Sequence, residues 1–230
     1  MTNIHLVGGE KGGVGKSLVS RILAQYLIDR EIPFVGFDTD RSHGALMRFY
    51  PEHAQPALVN HYEALDRIVE TAVENPDKRI LVDLAAQTFD PLVKWMDDSG
   101  VVNLADEMDV QVHYWHVMDC GKDSVDLLKR LLDRFGTGIR YVLVRNQLRG
   151  NDFTLLEQSG EQTRAKELGA KIITIKKLYE GVIMKIDNGS HSFAQAKSTE
   201  EDSIGFGLMD RQRVKMWLRD AYREFDDVGV

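Results

Sequence analysis

The chain has 230 residues, 43% hydrophobic and 28% charged, which suits one globular domain with a single core and excludes a disordered chain. A net charge of −7 speaks against a general nucleic-acid coat, and a single cysteine, Cys120, excludes an internal disulfide or a thiolate cluster for zinc or iron–sulfur. No apolar run approaches the ~18 residues of a membrane span and no basic-then-apolar leader opens the chain, so the expected location is cytoplasmic.

Short β-branched apolar runs alternate with longer stretches of helical period. This is the pattern of an α/β fold: a doubly wound, mostly parallel sheet flanked by helices on both faces. The first expected strand is NIHLV at 3–7, followed by the glycine-rich turn GGEKGGVGKS at 8–17 and a helix over 17–29 carrying Leu18, Ile22 and Tyr26 on one face. Further strands are expected at 33–38, 79–84, 110–117, 141–146 and 171–176. Helices are expected at 63–74, 90–97, 124–135, 162–168 and 209–225. The polar, acidic stretch KSTEEDSIGFG at 197–207 reads as a mobile surface loop before the last helix, within one domain spanning 1–230.

Charge is uneven along the chain. Residues 1–139 hold 14 Lys/Arg against 22 Asp/Glu, and residues 140–230 hold 15 against 14. A local basic face in the second half therefore leaves non-specific DNA contact open.

A strand, a glycine-rich turn and a helix together let backbone N–H groups surround a phosphate chain at a helix N-terminus. Gly12, Gly13 and Gly15 permit close approach, with Val14 and Leu18 completing the turn and the start of the helix. Lys16 supplies charge to the phosphates, and the Ser17 hydroxyl is the expected Mg²⁺ ligand. The strict pattern G-x-x-x-x-G-K-[ST] fails at Glu10, and a second lysine, Lys11, stands beside it.

KGGVGKS resembles the deviant phosphate loop of the ParA/MinD group of partition and positioning ATPases. The resemblance implies an ATP/ADP and Mg²⁺ site, a homodimer formed on ATP binding, and a partner protein or cargo. It gives Lys11 a role across the dimer interface, on the phosphates held by the other subunit. FDTDRSHGA at 37–45 is similar to the group's switch segment, with Arg41 and Ser42 in place of the usual proline and glutamine. Asp40 is then expected to organise the Mg²⁺ waters and the attacking water, and Asp38 to act there or to brace the loop. RILVDLAAQ at 79–87 places Asp83 at a strand end, where a carboxylate would hold the metal's hydration shell. Asn146, closing YVLVRN, resembles the asparagine that meets the adenine edge. Within the group, LAQYLIDR, DTD and EMDVQVHYWHV look like segments of the TraL-like proteins of conjugative plasmids.

Other features carry no chemistry on this reading. In HYWH at 113–116 the two histidines fall on opposite faces of a strand and cannot share a metal. His43, His53 and His61 read as loop residues, and Cys120 as a packing residue. The last helix sets Val214, Trp217, Leu218, Ala221, Tyr222 and Phe225 on one stripe amid arginines. Docking on the sheet is the leading expectation there, ahead of DNA or partner contact, with membrane binding unlikely because the acidic DDVGV follows.

The leading functional expectation is a slow Mg²⁺-dependent ATPase, stimulated by DNA or a partner, that switches between monomer and ATP-sandwiched dimer in positioning, partition or conjugal transfer. Its catalytic residues would be Lys11, Lys16 and Asp40, with Ser17, Asp40 and Asp83 around the metal. The alternatives are a small-molecule kinase or ligase resembling dethiobiotin synthetase, and a DNA-binding adaptor that senses nucleotide with little turnover.

Overall fold

The amino-terminal apolar run becomes the central strand of a seven-stranded sheet in which every neighbouring pair is parallel. The structure is a computed structural model that describes residues 2–9, 11–40, 44–198 and 205–230. The first half of the chain builds β1 (Thr2–Gly8), α1 (Lys16–Asp29), β2 (Phe34–Asp38), α2 (Ala45–Phe49), β3 (Ala54–Pro56), α3 (Tyr62–Glu74) and β4 (Arg79–Asp83). Next come α4 (Phe89–Asp98), α5 (Val101–Glu107), β5 (Val110–Met118), α6 (Lys122–Phe135), β6 (Arg140–Asn146), α7 (Thr154–Gln158) and α8 (Glu161–Glu167). The chain closes with β7 (Lys171–Ile175), α9 (Glu180–Gly189), α10 (Phe193–Lys197) and α11 (Leu208–Val228).

The strand order is β3-β2-β4-β1-β5-β6-β7. From β1 the chain works outward to β3, returns to β4 beside β1, then crosses to β5 on the other side. In open parallel sheets such a reversal leaves a crevice at the carboxyl ends of the strands, and ligands bind there.

Alternation along β1 sends Ile4 and Leu6 into one core layer and Val7 into the other. The first layer is filled from α3, α4, α5 and α6, with Leu65, Ile68, Leu92, Trp95, Leu128 and Leu132 buried. The second is filled from α1, α2, α9, α10 and α11. Helix α1 is buried almost all round because α10 and α11 cover its outer side. Burial of Ile22, Leu23 and Leu27 stabilises the fold by roughly 1.5–3 kcal/mol each.

Six of the seven strands fall where the sequence pattern expects them. The seventh, β3, is a three-residue edge strand containing Pro56, too short to carry a period-2 signal and tolerant of proline because it has no outer neighbour. Helices α2, α5, α7, α9 and α10 are additions to the expectation. The expected loop at 197–207 needs correction at its start: Lys197 is the last residue of α10 and pairs with Asp29. Residues 199–204 of that stretch lie outside the described residues, as do Glu10, Arg41, Ser42 and His43.

The last helix runs longer than the 209–225 expected, and Asp226 and Asp227 belong to it. It docks as its stripe predicts. Val214, Trp217, Leu218, Ala221 and Phe225 are buried in the second core layer, and Trp217 Nε1 donates to the Lys176 carbonyl at 2.6 Å.

Candidate functional site

Between β1 and α1 the backbone turns through positive φ at Gly13 (73°) and Gly15 (93°), a region that disfavours any side chain. Space adds a second constraint at Gly15, where a methyl group would strike the buried Asn146 amide; one on Gly13 would meet the mobile end of the half-exposed Arg149 side chain. Gly12 faces open space. Gly15 is also the N-cap of α1 and offers no side chain to the first turn, whose N–H groups lie at the positive end of the helix dipole. Lys16 is buried, and its Nζ reaches back to the Lys11 carbonyl at 3.1 Å, which draws the ammonium across the turn. Val14 is buried, and Leu18 packs partly buried against the second core layer.

Asp83, at the end of β4, is 2% exposed and directly opposite Asp38 of β2 in the strand register. Ser20 Oγ donates to Asp83 Oδ1 at 2.9 Å, and the Ser17 hydroxyl bonds the same carboxylate from one turn earlier in α1. Burial, then the nearby Asp38, pushes the Asp83 carboxyl up to about 7 against the pull of Ser20, Ser17 and Lys16. Thr39 locks the two strand ends together: its N–H and hydroxyl both donate to the Asp83 carbonyl, and its Oγ1 accepts from the Ala85 N–H at 2.8 Å.

Asp38 accepts N–H bonds from Asp40 at 3.0 Å and Met47 at 3.1 Å, so it braces the turn that carries Asp40. Burial raises its carboxyl in spite of those bonds. Asp40 itself is partly buried on that turn, next to the segment 41–43 that lies outside the described residues.

Lys11 does not extend into solvent. Its Nζ lies 3.1 Å from Asp119 Oδ2 and 3.6 Å from Asp123 Oδ2, and the hydrogen bond to Asp119 raises its pKa. Asp119 sits just past β5 and also accepts from Ser124 Oγ at 2.8 Å and the Gly121 N–H at 3.0 Å. Although desolvation pushes its carboxyl upward, these bonds and Lys11 hold it below the usual range.

Asn146 is buried at the end of β6. Its Nδ2 donates to the Val14 carbonyl at 2.7 Å and its Oδ1 accepts from the Leu148 N–H at 3.3 Å. Its amide thereby ties the turn to β6.

The histidines of HYWH do face opposite ways. His113 packs against the His5 ring, whereas His116 Nε2 donates to the Ser124 carbonyl at 3.0 Å from the other face of β5. Among the described residues no group of three or more His, Cys, Asp or Glu is placed to hold a metal ion. Cys120 is half-buried against the first core layer.

The structure thus brings Lys16, Ser17 and Asp83 to one end of the sheet, with the Lys11 backbone in the same turn and its side chain drawn aside. The donor set there is hard oxygen: a buried carboxylate, its neighbour Asp38 and two serine hydroxyls. It fits Mg²⁺, which is held by one or two carboxylates together with water and substrate phosphate. The turn fits a phosphate chain through its glycines, the helix N-terminus and the Lys16 ammonium. Four residues here have no place in the expected motif: Ser20, Thr39, Asp119 and Arg149. Ser20 was detectable as a second hydroxyl three residues after Ser17, on the same helix face. Asp119 follows a strand as Asp38 and Asp83 end theirs.

No protein-family model matches the chain. It is 28% identical over 230 residues to protein MobD of Acidithiobacillus ferrooxidans, a match covering 98% of this chain and 97% of that one. It is 26% identical over 245 residues to a protein TraL of Escherichia coli, with both chains fully covered, and 22% identical over 250 residues to another Escherichia coli TraL. Among solved structures, a nucleotide-binding protein of Archaeoglobus fulgidus in complex with ADP matches at a TM-score of 0.47 and 14% identity, covering 81% of this chain and 86% of that one. The chain is therefore similar from end to end to MobD and TraL.

Proposed function

We propose that this chain is a Mg²⁺-dependent ATPase that works as a nucleotide-driven dimerisation switch in conjugal transfer. The observation that carries the reading is the buried Asp83 carboxylate. It meets the Ser17 and Ser20 hydroxyls at the first turn of α1, behind a glycine turn crossed by the Lys16 ammonium. A carboxylate in that position, without a polyvalent cation to face, is expensive to bury.

On this reading Lys16 and the turn's N–H groups hold the phosphates, and Ser17 and Asp83 hold the metal with Ser20 fixing the carboxylate. Bound Mg²⁺ supplies charge neutralisation on the phosphates. Asp40, steadied by Asp38, orients water, and Lys11 brings charge to a second subunit's nucleotide once it leaves Asp119. The role in conjugal transfer is supported by the likeness to TraL-like proteins of conjugative plasmids and by full-length similarity to TraL.

Sedimentation velocity tests the switch. The parent chain should be monomeric with ADP and Mg²⁺ and dimeric with ATP and Mg²⁺, and Asp40→Ala should accumulate the dimer because it binds but does not hydrolyse. An Asp40→Ala variant that binds ATP yet stays monomeric contradicts the sandwich. ATP turnover that requires an added small carboxylate would favour the kinase reading instead.

A further inference from the structure

The segment after β6 crosses the phosphate turn at three successive points. Asn146 Nδ2 donates to the Val14 carbonyl, the Leu148 side chain comes to 3.6 Å from where a Cβ on Gly15 would stand, and the Arg149 guanidinium lies against Gly13. The first contact is a buried hydrogen bond and the second is packing. The third places a planar cation over the glycine turn, and its side chain is 52% exposed.

Among the described residues that guanidinium has a long ion pair and no closer polar partner. The ion pair is with Asp119 Oδ2 at 3.8 Å, beyond hydrogen-bond distance. Asp119 already has Lys11 Nζ at 3.1 Å, Ser124 Oγ and the Gly121 N–H as close partners. One carboxylate therefore stands between two cations, Lys11 and Arg149, at the rim of a turn shaped for phosphate. A guanidinium presents a fixed fork of donors that matches two phosphate oxygens at once, which an ammonium does not.

We propose that Arg149 is a phosphate-binding residue acting on nucleotide held by its own chain, and that Asp119 is the counter-ion from which polyphosphate takes it. The proposal rests on the phosphate-turn reading above. Glycine at position 13 is required by its positive φ and also lets the guanidinium lie close to the turn.

The test is calorimetric titration with ADP and, separately, inorganic tripolyphosphate, each with Mg²⁺, on the parent, Arg149→Ala, Arg149→Lys and Asp119→Asn. Arg149→Ala should weaken ADP and tripolyphosphate binding by about tenfold or more, with Arg149→Lys between it and the parent. Thermal melting without ligand should stay at the parent value, because the side chain is half exposed. Asp119→Asn keeps an oxygen acceptor for Gly121 and Ser124 while removing the competing charge, and it should tighten ADP binding by about threefold. A parent chain that binds neither probe removes the phosphate-turn reading and this one with it. A parent that binds while Arg149→Ala binds equally well overturns the role of Arg149 alone. Unchanged or weaker binding by Asp119→Asn overturns the counter-ion assignment.

Discussion

Lys11 Nζ and Asp119 Oδ2 meet at 3.1 Å although 108 positions separate the two residues in sequence. The lysine that the proposed mechanism sends to a second subunit is held in this structure by a carboxylate of its own chain, with Asp123 as a second anchor. The pair links the two crevice walls, the turn after β1 and the loop between β5 and α6. Dimer formation would exchange that contact for a phosphate of the partner's nucleotide.

Lys11→Ala is therefore expected to leave the unfolding midpoint in urea unchanged and to abolish ATP-dependent dimerisation in sedimentation velocity. Binding of ATP to the single chain should persist. Dimerisation at the parent ATP concentration would show that Lys11 serves only the contact with Asp119.

Ser20 is fully buried and donates to a fully buried carboxylate. Ser20→Ala leaves Asp83 with one donor fewer, a loss of about 1–3 kcal/mol in stability. It should also raise the Mg²⁺ concentration needed for half-maximal nucleotide binding, since Asp83 loses the bond that fixes its orientation. Urea unfolding and a Mg²⁺ titration check the two effects, and parent values in both would remove Ser20 from the site.

The imidazoles of β5 make a pH prediction. Burial, partly offset by the Ser124 carbonyl, lowers His116 from 6.5 to about 4. The folded chain therefore holds fewer protons than the unfolded chain between those values. Its contribution to stability is complete above pH 6.5 and is lost as pH falls toward 4. His116→Gln retains a donor for Ser124 and removes the titration. Between pH 7.5 and 5.5 the variant should lose about 1.4 kcal/mol less than the parent in urea denaturation. Parallel losses in the two proteins would show that His116 titrates normally.

Trp217 fixes the last helix to β7 through its buried ring and its bond to the Lys176 carbonyl. Trp217→Ala should cost about 3–5 kcal/mol, the range for deleting a buried aromatic. A change under about 1 kcal/mol in the unfolding free energy would mean that α11 is a loosely attached contact element.

The parts legible in sequence were those with strong local signals. The buried parallel strands announced themselves as β-branched runs, and the turn between β1 and α1 as a glycine cluster between strand and helix. The segment from Lys177 to Lys197 hid two helices because Gly181, Gly189 and a Ser-His-Ser stretch interrupt the helical period. Their stability comes from tertiary burial of Val182, Ile186, Phe193 and Ala196, together with the Ser192–Gln195 capping box. Within the candidate site, the closeness of Lys16, Ser17 and Asp83 followed from motif and strand-end position. Asp119 and Arg149 were not legible, because their place at the turn depends on β5 pairing with β1 and β6 with β5, which is a fact of topology. The amide of Asn146 shows the converse limit: its position was foreseen, and its bond to Val14 required the fold.

On the proposed reading, the turn between β1 and α1 binds the phosphates of a nucleotide with Mg²⁺. Calorimetric titration of the intact chain with ATP and Mg²⁺ tests it most directly. One ATP per chain should bind in the ~1 µM to 1 mM range usual for enzyme substrates, and Lys16→Ala should bind at least about tenfold more weakly while remaining folded by circular dichroism. No measurable binding at millimolar ATP, or equal binding by parent and Lys16→Ala, would contradict it.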